Sequence, residues 1–168
     1  DPDLERRAAR IRHGTGEARV SNVEVLDASG EPTEVVEPED PATIRVHVEY
    51  VEDVKSSVIG ITLRNKTGLD VFSTTTKRED ARVGARRRGE RVIVDFSLKL
   101  PLQPGAYSVA AAVSHPRGKN LHMDWVDVAT AFRLERPRDR AAAGGLVDLP
   151  TTVRVHSPDR ERDPGKPA

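Results

Sequence analysis

The chain has 168 residues, its 27 lysines and arginines are balanced by 27 aspartates and glutamates, and its sequence contains no cysteine. This length suits one domain with tails, the zero net charge argues against nucleic-acid binding, and no apolar run approaches the roughly 20 residues of a membrane span. A sequence without cysteine excludes disulfides and thiolate chemistry, and a cytoplasmic location is the expectation.

The first segment, residues 1–13, is polar and rich in helix-forming residues. Its only large apolar residues are Leu4 and Ile11, and this stripe is too narrow to bury a helix. We therefore predict a linker from a preceding domain, and an aspartate as first residue agrees with a fragment of a longer protein.

Residues 14–156 carry short segments in which apolar and polar residues alternate, with turns rich in glycine and proline between them. The predicted core faces are Ile44, Val46, Val48 and Tyr50; Ile59, Ile61 and Leu63; Val92, Val94, Phe96 and Leu98; Tyr107, Val109, Ala111 and Val113; and Val126, Val128, Phe132 and Leu134. This pattern predicts an all-β fold, a two-sheet antiparallel β-sandwich of the immunoglobulin-like or jelly-roll-like kind, with flexible tails.

Tyr107 stands shortly after a Pro-Gly turn, at the start of one of these segments. β-Sandwiches use a tyrosine in such a place to pin a strand corner through its phenol. A tyrosine that only fills the core is the other interpretation.

The C-terminal part divides into three stretches. Residues 136–145 read as a flexible connection, and residues 146–155 as a short strand-like coda. Residues 157–168 are charged, rich in proline and free of large apolar side chains, so we predict that this tail is disordered.

Signs of catalysis or cofactor binding are weak. The histidines, namely His13, His47, His115, His122 and His156, are scattered and lack the spacing of metal ligands. There is no glycine-rich phosphate loop before a helix and no nucleophile elbow. We predict no enzymatic activity, no catalytic residue, no metal and no cofactor.

One basic cluster, residues 84–91, contains four arginines. In a chain without net charge, such a cluster is most often a solvated loop. A phosphate-bearing ligand is its functional alternative.

Strand alternation also defines the outer surface of the predicted sandwich. Trp125 and Asp127 project outward if Val126 and Val128 face the core, so that an indole lies beside a carboxylate. An aromatic face with polar groups suits a sugar, and a tryptophan that caps the open end of the sandwich is the alternative. His115, His122 and Asp124 flank the same region and are further candidates for sugar binding.

The hairpin before this region adds hydroxyl groups. On its first strand, Thr62 and Arg64 are predicted to point outward. On its second strand, Thr74 and Thr76 share a face with Phe72, and the pattern leaves open which face is the core. We include both threonines among the candidate carbohydrate-binding residues, although β-branched residues also simply suit an exposed strand.

Five motifs occur in an order that resembles a known family: "RHGTGEARVSNVEVLDASGEP", "GITLRNKTGLDVFSTTT", "LPLQPGAYSVAAAVSH", "DWVDVATAFRL" and "GLVDLP". The family is the C-terminal carbohydrate-binding domain of the ATP-binding subunit of bacterial O-antigen polysaccharide ABC transporters, the Wzt type. The resemblance runs from about Arg12 to Val155. Where the family commonly reads F-G-T-N-T, this chain reads "FSTTT", so Ser73 and Thr75 depart from its pattern.

The resemblance implies a non-catalytic module that recognises the terminus of a lipid-linked cell-surface polysaccharide and couples completion of the chain to export. The implied partners are the polysaccharide terminus, the protein's own nucleotide-binding domain, the membrane subunit of the transporter and a second copy in a homodimer. The implied place is the inner face of the plasma membrane, without direct membrane insertion. A structural or dimerising immunoglobulin-like sandwich without a glycan ligand is the alternative.

Overall fold

The structure is a computed structural model that describes residues 12–117, 121–138 and 141–157. These residues form nine strands and no helix: β1 (Arg12–His13), β2 (Ala18–Leu26), β3 (Val35–Val36), β4 (Ala42–Tyr50), β5 (Val58–Asn65), β6 (Asp70–Thr75), β7 (Arg91–Leu98), β8 (Gly105–Ser114) and β9 (His122–Leu134). Of the predicted linker, only Arg12 and His13 are described, and they form β1. The predicted disordered tail lies outside the described residues apart from Ser157.

The strands form two sheets that face each other across the core. The larger sheet has the order β1-β9-β8-β5-β6, and β3 adds a short parallel pair at the end of β9. The smaller sheet has the order β2-β4-β7. All the other strand pairs are antiparallel, which confirms the predicted two-sheet antiparallel sandwich.

The core lies where the alternating apolar residues of the two sheets meet. The inward side chains of β4 and β5 are at most 1% exposed: Ile44, Val46, Val48 and Tyr50 on β4, and Ile59, Ile61 and Leu63 on β5. Each large apolar side chain buried in this way contributes about 1.5–3 kcal/mol to folding. The core faces predicted on β4, β5, β7 and β8 are confirmed, with Val92, Val94 and Leu98 of β7 only partly buried.

Strand β9 departs from simple alternation. Its register with β8 shifts between Val109 and Ala111 and again between Val113 and Ser114. A bulge inserts a residue and turns the side chains that follow it to the other face. The prediction that Val128 faces the core is therefore wrong, since this side chain is 45% exposed, whereas the predicted burial of the other three inward residues of β9 is confirmed.

Tyr107 fulfils both of the roles considered from the sequence. Its ring is buried and stacks on Phe132, with 5.8 Å between the ring centroids. Its hydroxyl donates a 2.7 Å hydrogen bond to the carbonyl oxygen of Gln103. The phenol thus ties the start of β8 to the preceding turn, as the corner hypothesis predicted.

The start of the coda pairs with its own domain. The Asp148 N–H donates to the Pro101 carbonyl oxygen at 2.8 Å, and the Gln103 N–H donates to that of Leu146 at 3.3 Å. Arg136 and Asp148 form an ion pair whose side chains are only 8% and 12% exposed. Beyond this anchor, residues 149–157 are exposed.

Candidate functional site

The outer face of the larger sheet carries most of the predicted site residues. In its middle, Gly60 lies opposite Ala112, and Thr62 lies opposite Ala110, across β5 and β8. These positions face outward because the residues that alternate with them fill the core. Three of the four have no side chain larger than a methyl group, so they form a low floor between β6 and β9.

Trp125 stands at the β9 side of this floor, opposite Ala112. Its indole is half-buried, and its Nε1 donates to Oδ1 of Asp127 at 3.4 Å. The prediction that an outward indole lies beside a carboxylate is confirmed. The imidazole of His122 lies against the same indole, with 5.0 Å between the ring centroids and an angle of 51° between the planes.

Arg64 links this pair to the neighbouring strands. Its guanidinium forms ion pairs with Asp127 on β9 and, at 2.5 Å, with Asp70 on β6. The hydrogen bonds to Asp127 and then to Asp70 raise the pKa of Arg64 above its ordinary value. A fixed positive charge thus lies between two carboxylates on an open surface, and we call Arg64, Asp70, Trp125 and Asp127 the polar centre.

Two depressions flank the polar centre. The larger is an open groove of about 710 Å³, whose lining includes Arg64, Leu69, Tyr107, Ser108, Asp127 and Val128. The smaller has a volume of about 90 Å³, and its lining includes Gly60, Thr62, Ser73, Ala112, His122 and Trp125. Hydroxyl, carboxylate and guanidinium groups beside an indole match the polar and apolar parts of a sugar ring. The larger groove also has the size of a small-ligand site.

The hydroxyl groups of β6 are distributed differently from the prediction. Thr74 pairs with Ile61 on the core side of the sheet, and its hydroxyl donates to Glu79 at 2.5 Å. Thr76 is buried as well, and its hydroxyl accepts the N–H of Ile59 at 3.1 Å. The sequence left open which face of this strand is the core, and both hydroxyls are buried, so the choice of Thr74 and Thr76 as sugar-binding residues is wrong.

The outward hydroxyls of this strand belong to Ser73 and Thr75, which were not selected from the sequence. Ser73 lies opposite Thr62, with 3.1 Å between the two hydroxyl oxygens, and Thr75 lies opposite Gly60. The phase of β6 could have been read from the pairing with β5, but Phe72 obscured it. This large apolar side chain is 38% exposed at the edge of the sheet.

Asp124 has a structural position. Its side chain is buried, accepts hydrogen bonds from Nε of Arg12 at 2.8 Å and from the Val20 N–H at 2.7 Å, and forms an ion pair with Arg12. The bulge before it places both Met123 and Asp124 on buried positions. The prediction that Asp124 supplies a surface acceptor for a sugar is wrong for this reason.

Of the two candidate histidines, only His122 lies at the site. His122 lines the smaller depression, and its Nδ1 lies 2.8 Å from the Ser114 hydroxyl. Burial, and to a lesser degree the charge of His13, lower the pKa of His122, which favours its neutral imidazole. His115 lies 3.5 Å from Glu17 and lines neither depression.

The described residues include no group of three or more histidine, aspartate or glutamate side chains placed to hold a metal ion. The described residues form no helix, and they therefore contain no helical membrane span.

Comparison with known proteins places the chain in a family. A model of the "Wzt C-terminal domain" matches residues 9–149. The chain belongs to this family. It is the family that the ordered motifs resemble, and a Wzt C-terminal domain is a binding or regulatory domain of an ABC-transporter ATPase subunit.

A solved structure has the same fold. The crystal structure of the C-terminal domain of wzt matches with a TM-score of 0.75 and 19% identity over 86% of this chain and 87% of that chain. The CARDB domain of PF1109 from Pyrococcus furiosus matches with 16% identity over 74% of this chain and 97% of that chain, but its TM-score of 0.41 is too low to bear on the fold. Among curated proteins, none matches this chain.

Proposed function

We propose that this Wzt C-terminal domain binds the terminus of a lipid-linked polysaccharide on the outer face of its larger sheet. The observation that carries the proposal is the Trp125 indole, held half-exposed beside the Asp127 carboxylate between two depressions. Family membership supplies the setting, a domain attached to an ATP-binding subunit.

The chemistry of the polar centre fits a sugar in three ways. The indole offers a flat apolar face to the C–H groups of a pyranose ring. The carboxylates of Asp70 and Asp127 accept hydrogen bonds from sugar hydroxyls, and the guanidinium of Arg64 donates them. The ion pairs hold these groups in place before the ligand arrives, which lowers the entropic cost of binding.

The proposed role is to couple completion of the glycan to its export. The partners in this role are the protein's own nucleotide-binding domain and the membrane subunit of an O-antigen ABC transporter, on the cytoplasmic side of the bacterial inner membrane. The domain acts as a homodimer and has no catalytic activity of its own. Its zero net charge is in keeping with a neutral glycan ligand rather than a polyanion.

Binding to a panel of defined bacterial glycan termini tests the proposal. We expect at least one terminus to shift the amide signals of Trp125 and its neighbours in two-dimensional NMR, and Trp125→Ala to weaken that binding at least tenfold. Ile93→Ala is the matched control, because Ile93 is an exposed apolar residue on the smaller sheet. Silence across the whole panel, or equal loss in both variants, contradicts the proposal.

A second candidate function is a dimerising sandwich without a glycan ligand. The observation that favours it is the exposed apolar row of the coda, in which Leu149, Val153 and Val155 are 65%, 79% and 90% exposed. A second copy that covered this row would remove apolar surface from water. This candidate predicts a dimer in sedimentation analysis together with no response to any glycan, whereas the first predicts that Trp125→Ala leaves the dimer intact and loses the ligand.

A further inference from the structure

The chain enters the sandwich along the strand that carries Trp125. In β1, Arg12 lies opposite Val126 and His13 lies opposite Trp125. After β1, the Thr15 N–H donates to the His122 carbonyl oxygen at 3.0 Å and the Gly16 N–H donates to that of Met123 at 2.8 Å. We call residues 12–16 the entry segment.

Two further features hold the entry segment in place against β9 and β2. Arg12 forms a part-buried ion pair with the buried Asp124 and also donates to the Val20 carbonyl oxygen at 2.8 Å. Gly14 passes so close to β9 that a Cβ at this position would lie 2.2 Å from the Met123 carbonyl oxygen. No side chain fits there without moving the segment away from the strand.

His13 joins the rings around Trp125. Its imidazole stacks on the indole with 6.1 Å between the centroids and 22° between the planes, and it lies 5.7 Å from the imidazole of His122. The indole is thus bordered by one imidazole from the entry segment and by another from β9. His13 is exposed, so its stacking on the indole is a surface contact with no role in filling the core.

We propose that His13 is a positioning residue for Trp125, and that ligand binding at the polar centre is coupled to the docking of the entry segment on β9. An indole held by a neighbouring ring loses less side-chain freedom when a ligand binds. Because coupling between two equilibria is reciprocal, a ligand that binds the held indole also strengthens the docking of the entry segment.

This coupling gives the segment a place in the proposed function. The entry segment lies on the N-terminal side of the sandwich strands, the direction in which the proposed nucleotide-binding domain lies. Ligand binding at Trp125 therefore stabilises the segment that connects the two domains. This consequence depends on the proposed function, whereas the contact between His13 and Trp125 does not.

The chain has a single tryptophan and two tyrosines, so fluorescence excited at wavelengths that only the indole absorbs reports on Trp125 alone. In the 168-residue chain without ligand, we expect His13→Ala to shift the emission to longer wavelength and to increase quenching by acrylamide. His13→Phe, which keeps a flat ring, restores the wild-type spectrum. His47→Ala is the control, since His47 lies on the smaller sheet and contacts Glu24 at 2.7 Å. An unchanged spectrum in His13→Ala overturns the proposal.

A second measurement tests the coupling. With a glycan terminus that binds the wild type, we expect His13→Ala to lower the affinity roughly three- to tenfold and His13→Phe to recover it. Thermal melts of both variants show whether the fold is kept, and equal affinity in folded His13→Ala overturns the coupling. If no glycan binds the wild type, the proposed function fails, while the fluorescence comparison still decides the role of His13.

Discussion

Arg64 takes its partners from two different strands, Asp70 on β6 and Asp127 on β9. The side chains of Arg64 and Asp127 are 21% and 29% exposed, so their ion pair is less screened by solvent than the pair with Asp70, whose side chain is 59% exposed. The same Asp127 oxygen accepts the indole N–H of Trp125. The guanidinium of Arg64 therefore holds the carboxylate that in turn accepts the indole N–H.

His122 makes the stability of the domain depend on pH. Burial and the charge of His13 lower the pKa of His122, so the unfolded chain binds this proton more readily than the folded one. The free energy of unfolding is therefore expected to fall as the pH drops through about 6.5, the ordinary histidine value, and toward the lower pKa of the folded state. Above that range the group is neutral in both states and has no effect.

Urea unfolding between pH 7.5 and 5.5 tests this expectation. Carboxylates titrate below that interval, so they contribute little to the change. We expect His122→Gln to make the free energy of unfolding less dependent on pH. His47→Gln, on the smaller sheet, is the control and is expected to retain more of this dependence. Wild type and His122→Gln with the same slope would contradict the expectation.

At the level of elements, the register of β6 decides which hydroxyls face a ligand. Ser73 and Thr74 are neighbours in the chain, but Ser73 lies on the outer face and Thr74 on the core side. Adjacent residues of a strand point to opposite faces. A substitution at Ser73 is therefore expected to affect ligand binding, and one at Thr74 to affect stability.

We expect Ser73→Ala to weaken glycan binding by about 1 kcal/mol, roughly fivefold, with little change in stability. Thr74→Ala loses its part-buried hydrogen bond to Glu79 and is expected to lower the free energy of unfolding while the affinity stays the same. Calorimetric titration and urea unfolding of both variants measure the two quantities. The reverse assignment of effects would show that β6 has the other register.

At the scale of the whole molecule, one ion pair with little exposure connects the coda to the end of β9. Arg136 follows β9 and pairs with Asp148 at the start of the coda. Removing one partner of a buried pair leaves the other charge without compensation. We expect Arg136→Ala to lower the free energy of unfolding in urea and to make residues 141–157 more susceptible to proteolysis.

Arg133→Ala is the matched control. Arg133 forms an ion pair with Glu135, and the two side chains are 60% and 55% exposed. Exposed pairs contribute about 0–1 kcal/mol, so this variant is expected to behave almost as the wild type. Equal losses in the two variants would mean that the coda is not held by Arg136.

The periodic part of the sequence predicted most of the fold. The core faces of β4, β5, β7 and β8, and the outward Trp125 beside Asp127, follow from alternation alone. The predicted orientations of Val128 and Asp124 were wrong because bulges in β9 break the alternation around them. Thr74 was misplaced because an exposed phenylalanine two residues before it disguised the phase of the strand.

The sequence by itself determined the layered all-β architecture, since a period of two is a local property that can be read residue by residue. The order of the motifs along the chain also indicated the family. Only the tertiary structure decided which side chains meet: Arg64 with Asp70 and Asp127, and His13 with Trp125. These contacts join different strands, and strand register, bulges and the path of the entry segment are set by long-range packing that no local pattern encodes.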